Sequence, residues 1–539
     1  YGGSDDKPNR RYNGDWGYLN GEEYSMRRNA YHKPVAMLNW DWTMSDHTSL
    51  STVIYASLGR GMGTSNAGQA YSLKKTTNAK TGVVSYSLDK KFLNTLRTDE
   101  GLVDFDKAVA YNKGETVNGL INMHHPGQAG TGGDVIAPDG KKLKATNEGY
   151  FLSGSVNSHD WYGFLTNLKH QINDHLTLNM GIDGRYYYAY HHQVVNDLLG
   201  NNSFSDASNK NLSAPNIITA VAPTNATLNP FTKVAPISEQ ITYSNDGEVK
   251  WFGLFSQFEY SDEHFSAFIQ GATSIQSYQR IDNFVKPGTR LNPAQPRTVQ
   301  YTKTGFKDIM GYNIKGGVNY NINEQHNVFA NTGYYSKQPF FDAVYPNYHN
   351  ILNPNLTNEK IFGIEAGYGF KSQYFNANVN LYHTSWKDRY VRRDNWDGNT
   401  RYFAEMLGVT EIHQGVELDA AYRINDYVKV NGMFSLGDWF YQGGARVNTF
   451  LTEDNSEYIL SGKSSSQFDV DLDKLKVGES AQMTANLGVV VTPYENFNID
   501  LSWHYVNNLY ARLDITSLVR SSQISSLKLP QYNLFEGGA

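Results

Sequence analysis

The chain has 539 residues, a formal net charge of -6, 40% hydrophobic residues and 14% aromatic residues, with 48 Gly, 16 Pro and no Cys. Lack of Cys excludes disulfide frameworks and thiolate metal sites, and slight acidity with scattered Lys and Arg argues against a nucleic-acid role. No run approaches the roughly 18 apolar residues of a transmembrane helix, whereas 38 Tyr, 26 Phe and 9 Trp beside abundant Gly point to strands.

The opening Tyr1-Gly2-Gly3-Ser4 lacks the basic and apolar regions of a signal peptide.

From Val35 onward a unit recurs: an alternating strand, a tight turn, another alternating strand, then a long polar loop. The tight turns are Ser45-Asp46-His47, Asn173-Asp174-His175, Ser261-Asp262-Glu263, Asn323-Glu324-Gln325, Lys371-Ser372-Gln373, Asn425-Asp426-Tyr427 and Tyr494-Glu495-Asn496. Asn, Asp and Ser suit such turns because their side chains cap nearby backbone groups and tolerate left-handed conformations.

Around the turns the period is two. Ala36, Leu38, Trp40, Trp42 and Met44 oppose Met37, Asn39, Asp41 and Thr43. Phe375, Ala377, Val379 and Leu381 oppose Asn376, Asn378 and Asn380. Val416, Leu418, Ala420, Tyr422 and Ile424 oppose Gly415, Glu417, Asp419, Ala421 and Arg423, and Met433 is the exception in the strand that follows. Near the end, Phe497, Ile499, Leu501, Trp503 and Tyr505 oppose Asn498, Asp500, Ser502 and His504. A soluble sandwich and a membrane barrel both alternate. Three features select the barrel. The strands run about ten residues or more, enough to cross a bilayer at a tilt, against about 5–6 in sandwiches. Connections alternate short and long, as with periplasmic turns and extracellular loops. Trp and Tyr lie near the ends of the apolar faces, where an interfacial girdle belongs.

This pattern predicts an all-β transmembrane antiparallel barrel with about fourteen complete strands and a fifteenth starting near Tyr532. Residues 1–34 are expected to be the end of an extracellular loop, and residues 35–539 to be barrel strands and loops, incomplete at both ends. A chain built for an outer membrane must be exported, so the natural amino terminus is expected to lie upstream. The long loops are expected at Gly59–Asp160, His191–Gly247, Ile281–Lys307, Lys337–Glu359, Lys387–Val409, Tyr441–Ser480 and Ala511–Pro530. Structureless connections of this length are usually functional or disordered.

Asn353-Pro354-Asn355-Leu356, followed by Glu359 to Tyr368, resembles a stretch common in TonB-dependent receptor barrels, where it leads into a strand carrying a buried Glu and Gly. Leu381 to Val391 and Gln414 to Tyr422 are similar to later strands of such receptors, and Tyr31-His32-Lys33-Pro34 resembles those of Bacteroidota type. The resemblance covers nearly the whole chain and is most specific from Asn353 to Trp439. It implies twenty-two strands around an amino-terminal plug. The first strand precedes a short turn, so it is even-numbered; if it is the sixth, the cut-off strand is the twentieth. The resemblance further implies a receptor that binds a scarce nutrient outside the cell and imports it with force from the TonB–ExbB–ExbD complex, acting through a plug outside these residues. Some relatives also work with a surface lipoprotein lid. The ligand class, whether siderophore, haem, cobalamin, glycan or peptide, is left open.

Within this frame Glu365, Glu417, Asp419, Arg423 and Asp500 are expected to line a hydrated lumen. Tyr186, Tyr187, Tyr188, Tyr190, His191 and His192 lie where a strand leaves the bilayer and could stack a ligand, although an interfacial girdle is the plainer reading. His124-His125 could ligate a metal only with distant help. Asp394 to Asn399 lacks the final Glu of a calcium loop and is expected to be a polar turn. No cofactor, metal site or catalytic residue is assigned. A passive porin-like channel and a barrel enzyme are the competing readings; the second would need a Ser/His or carboxylate cluster at the rim.

Overall fold

The computed structural model describes residues 7, 9–10, 12–123, 125–224, 229, 231–291, 299–513 and 525–539. One antiparallel sheet of nineteen strands dominates it. Fifteen of these form a continuous meander: β1 (Val35–Ser45), β2 (Thr48–Thr77), β3 (Gly149–Gln171), β4 (Leu176–Asp197), β5 (Gln240–Ser261), β6 (Phe265–Asp282), β7 (Lys307–Asn321), β8 (His326–Lys337), β9 (Glu359–Lys371), β10 (Phe375–Asp397), β11 (Thr400–Arg423), β12 (Val428–Tyr441), β13 (Ala481–Tyr494), β14 (Phe497–Leu509) and β15 (Tyr532–Gly538). Each strand pairs with the next along its length. Among the described residues no helix is long and apolar enough to cross a membrane.

All seven tight turns lie where the sequence places them, and side chains close six of them, while the last turns on Asn496 at φ 66°. Asn173 Oδ1 accepts from the amides of His175 and Leu176, both at 2.9 Å. Asp262 accepts from His264 and Phe265, Asn323 from Gln325 and His326, and Asn425 from Tyr427 and Val428. Such local bonds satisfy amides that the ladder cannot reach at a reversal.

Register puts the apolar positions in unbroken rows on one face. One row runs Ile54, Phe164, Gly184, Phe252, Ile275, Met310. Another runs Val328, Tyr368, Val379, Leu418, Phe434, Ala485, Tyr505. Large side chains in these rows are solvent-exposed, for instance Met310 at 66% and Phe252 at 45%. An extended exposed apolar surface of this kind belongs against hydrocarbon. On β10 to β12 the belt ends where His383, Gln414 and Asp438 hydrogen-bond across the same face. From Phe375 to Leu381 the rise is about 20 Å at ~3.3 Å per residue, close to the height of an outer-membrane apolar band. The opposite face is polar: Asn327, Gly369, Asn378, Asp419, Met433, Asn486 and His504 form one row, with Met433 on this side as its position in the strand requires.

The long connections differ from expectation. Strands continue into most of them: β2 spans 30 residues and β11 spans 24. Above the lipid both faces meet water or other loops, so alternation fades although the ladder persists. The stretch 387–409 is not a loop but the tip of the β10–β11 hairpin, turned at Gly398-Asn399 with Gly398 at φ 60°. The connection after β2 carries the helix α1 (Phe105–Asn112), capped by Asp104, whose side chain accepts from the Lys107 amide. Its Asn112 bonds the backbone of Tyr150 and Leu199, fastening the helix to β3 and the end of β4. A second ordered unit, the hairpin formed by Gly444–Leu451 and Gln467–Asp471, packs on upper β11 through Val447, Ala445 and Val470 against Tyr402, Ala404 and Met406. Residues 16–19, 22–25 and 29–32 are short strands, the last pairing with β2.

Replacing Leu418 in the outer row by Arg should destabilise the folded barrel by about 2–4 kcal/mol if it lies near mid-bilayer, whereas Ser435→Arg on the opposite face should be tolerated. Urea unfolding in lipid vesicles checks this, and equal costs at the two positions would contradict the assignment of faces.

Candidate functional site

The polar face below the rim is built of cross-strand pairs. Asn378 donates to Asp419 at 2.9 Å and Asn380 to Glu417 at 3.4 Å. Glu365 stands on the same face, opposite Asn331 and Tyr382, and is exposed. Arg423 and Asp500 share this face, near the short turns. Small residues make room for bulky rings on this face: a Cβ on Gly367 would fall 2.3 Å from the Phe329 ring.

Higher on this face a row of charge and aromatic rings crosses five strands. Lys337 of β8 pairs with Glu359 of β9 at 2.7 Å, and Glu359 also accepts from the indole of Trp386 at 3.2 Å. Arg389 lies over the Trp386 ring, 4.3 Å from its centre, and pairs with Glu411 of β11. His413 Nε2 lies 3.1 Å from the other Glu411 oxygen, and its ring stacks on Trp439 of β12. Trp439 donates to the Tyr382 hydroxyl at 2.9 Å. Glu411 is only 2% exposed. Burial alone would raise its pKa, but the His413 hydrogen bond and the charge and hydrogen bond of Arg389 prevail and lower it. The row is charge-balanced, and its indole faces are covered by Lys337, Arg389 and the His413 ring. A sequence reading that treats 387–409 as a loop loses the register beyond Trp386, so these residues escape it; the alternation Glu411-Ile412-His413 is the local signal that survives.

A second aromatic patch occupies the same face of β2 to β4. Tyr55 meets Trp161 edge-on, Trp161 meets Tyr187 edge-on, and His159 stacks on Tyr187 with ring centres 5.4 Å apart. Lys33 lies over Trp161. The tyrosine–histidine run is therefore divided by the strand's own pleat. Tyr187 and His191 face the polar side. Tyr186, Tyr188, Tyr190 and His192 point the other way, above the apolar belt. There Tyr186 stacks with Tyr162, Tyr188 donates to Asp246, and Tyr190 donates to Asp160, which also pairs with Arg60. The six residues do not form one platform.

Among the described residues no three His, Asp or Glu side chains converge so as to hold a metal ion; His124 lies outside the described residues.

The family model described as "TonB dependent receptor-like, beta-barrel" matches residues 1–537. The chain belongs to that family. Among solved structures, it is similar to one titled copper transporter OprC, at 10% identity and TM-score 0.48, covering 94% of this chain and 64% of that one. It is also similar to the ferric-catecholate import receptor Fiu of Escherichia coli K12, at 10% identity and TM-score 0.49, covering 95% of this chain and 58% of that one. The chain thus spans less than two thirds of either structure's length. No curated protein matches it.

The Glu411 cluster has a pH signature. A carboxylate whose pKa is lowered by folding adds stability that is fully present above its ordinary value, about 4.3, and is lost as pH falls through the lower folded value. Glu411→Gln should therefore cost about 1–3 kcal/mol near neutral pH. Its deficit against the parent should shrink below about pH 4. Chemical unfolding across this range tests the sign; a deficit that grows on acidification would contradict it.

Proposed function

We propose that this family member forms the barrel of a Gram-negative outer-membrane receptor, of Bacteroidota type, that binds a scarce nutrient at its extracellular connections. It imports that nutrient with energy from the TonB–ExbB–ExbD complex. The observation that carries the reading is the two-faced wall. An apolar belt about as tall as a membrane backs onto a hydrogen-bonded polar face, and ordered extracellular units rise above it. Family membership supplies the receptor context.

In this reading Glu365, Glu417, Asp419, Arg423 and Asp500 line the water-filled passage and meet a plug domain seated within it. The energising complex acts on that plug. Tyr187 and His191, with the ring-bearing row from Trp386 to Trp439, contact the ligand on its way in. Tyr186, Tyr188, Tyr190 and His192 belong to the outer girdle. The work is recognition and gated passage, with no bond made or broken.

Dissipating the proton gradient across the inner membrane should stop accumulation of the nutrient in cells while leaving surface binding intact. A radiolabelled-uptake assay with and without a protonophore checks this. Unchanged uptake would instead identify a passive diffusion channel.

A further inference from the structure

The connection between β2 and β3 closes around one carboxyl group. Glu148, the residue before β3, is fully buried. Its backbone folds the connection back on itself: the amide donates to the Thr131 carbonyl and the carbonyl accepts from the Gly130 amide, both at 2.7 Å. Its side chain reaches α1, where Oε1 lies 2.8 Å from the Tyr111 hydroxyl. Tyr111, Phe105 and Ala108 of α1 share a buried core with Tyr150 and Leu152 of β3 and with Leu199 beyond β4. The Glu148 carboxyl therefore sits at the seam between the helix and the strand that carries it.

The surroundings suit a neutral carboxyl rather than a carboxylate. The titratable groups that face it are Tyr111 on α1 and Tyr150 on β3, with Tyr71 of β2 beyond Tyr111, and the Met123 amide approaches it. Among the described residues no Lys, Arg or His stands beside it, and Oε2 has no hydrogen-bond partner. The Tyr111 hydroxyl is within hydrogen-bond distance of both Oε1 and the Ile121 carbonyl, the latter at 3.0 Å. One phenolic proton serves one acceptor. Both contacts are made at once when Glu148 carries a second proton: its O–H donates to Tyr111, and Tyr111 donates to Ile121. Burial pushes the Glu148 pKa up to about 7, against smaller opposing effects of the Tyr111 and Met123 hydrogen bonds.

We infer that Glu148 is a proton-operated clasp, neutral while α1 is docked on β3 and ionised when the segment around the helix loosens. Ionisation in place would leave a buried charge with no cation to offset it, so the charged form favours an opened segment in which water reaches the carboxylate. A carboxyl whose folded pKa lies above its unfolded value, about 4.3, adds stability that is fully present below that unfolded value and is lost as pH rises through the folded one. Between the two, each pH unit should raise the opening constant of the segment about tenfold, with a plateau above about pH 7. Glu411 acts with the opposite sign, so only a local readout isolates Glu148. The clasp concerns the ordering of this one unit and does not depend on what the barrel imports.

Hydrogen exchange read by mass spectrometry on the full-length protein in detergent tests this. The observable is the protection of the α1 amides, Phe105–Asn112, after division by the intrinsic exchange rate at each pH. Protection in the parent should fall about a hundredfold between about pH 5 and pH 7 and then level off. Glu148→Gln keeps the shape and cannot ionise, so its α1 protection should not change with pH. Glu148→Met, neutral and of similar length, should behave in the same way and serves if the amide docks poorly. Parent protection that is flat with pH overturns the inference, as does a slope that both neutral variants retain. Loss of α1 protection at every pH in both variants also overturns it, because a neutral side chain would then not suffice to hold the helix.

Discussion

Hydrocarbon offers backbone amides and carbonyls nothing to bond with, and the remaining features of this chain follow from that constraint. A sheet can lie in such a medium only if each strand is bonded by a neighbour through the whole depth of the membrane. The fifteen-strand meander does this without a break in register at membrane level between β2 and β12; its shifts fall above the belt or at the tight turns. The bulges at Leu152/Ser153, at His192/Gln193 and around Arg389 all sit beyond the apolar rows, where water can satisfy a displaced group.

Once pairing is fixed, the pleat assigns every side chain to one of two solvents. This explains how one strand serves two purposes. Leu418 meets lipid while Glu417 and Asp419, its immediate neighbours, receive hydrogen bonds from Asn380 and Asn378 on the other face. It also explains why a run of adjacent aromatic residues, Tyr186 to Tyr190, is poorly suited to hold one ligand: alternate members are separated by the thickness of the wall. Rings that do cooperate come from different strands at one height, as Trp161 with Tyr187 or His413 with Trp439.

Above the membrane the constraint relaxes and the architecture changes. Long strands rise as a scaffold, and the connections between them pack small cores of their own around Phe105 and Tyr111, or Val447 and Tyr402. These cores order the segments that stand above the apolar belt. The turn at Asn347-Tyr348, with two left-handed residues at φ 55° and 58°, persists because arginines from two separate strands, Arg280 and Arg392, grip it.

Local chemistry carried much of this in the sequence. Six of the seven short turns are written in Asn, Asp and Ser residues that cap their own neighbours, the seventh in a left-handed Asn496, and the two faces are written in a two-residue period, because lipid and water impose opposite demands on adjacent positions. That Glu365, Glu417, Asp419, Arg423 and Asp500 share the polar face follows from the same period. Strand lengths above the lipid were not legible, since with water or loops on both sides Gly59 to Gly63 or Val391 to Val409 need not alternate. Nor was the meeting of Arg389 with Glu411, or of Asn347 with Arg392 and Asn455. Partners such as these are set by the register of neighbouring strands and by how loops from different hairpins settle on one another. The sequence alone thus determined the wall and its sidedness; only the tertiary structure decided which side chains meet on it and above it, because those contacts join segments that no local pattern links.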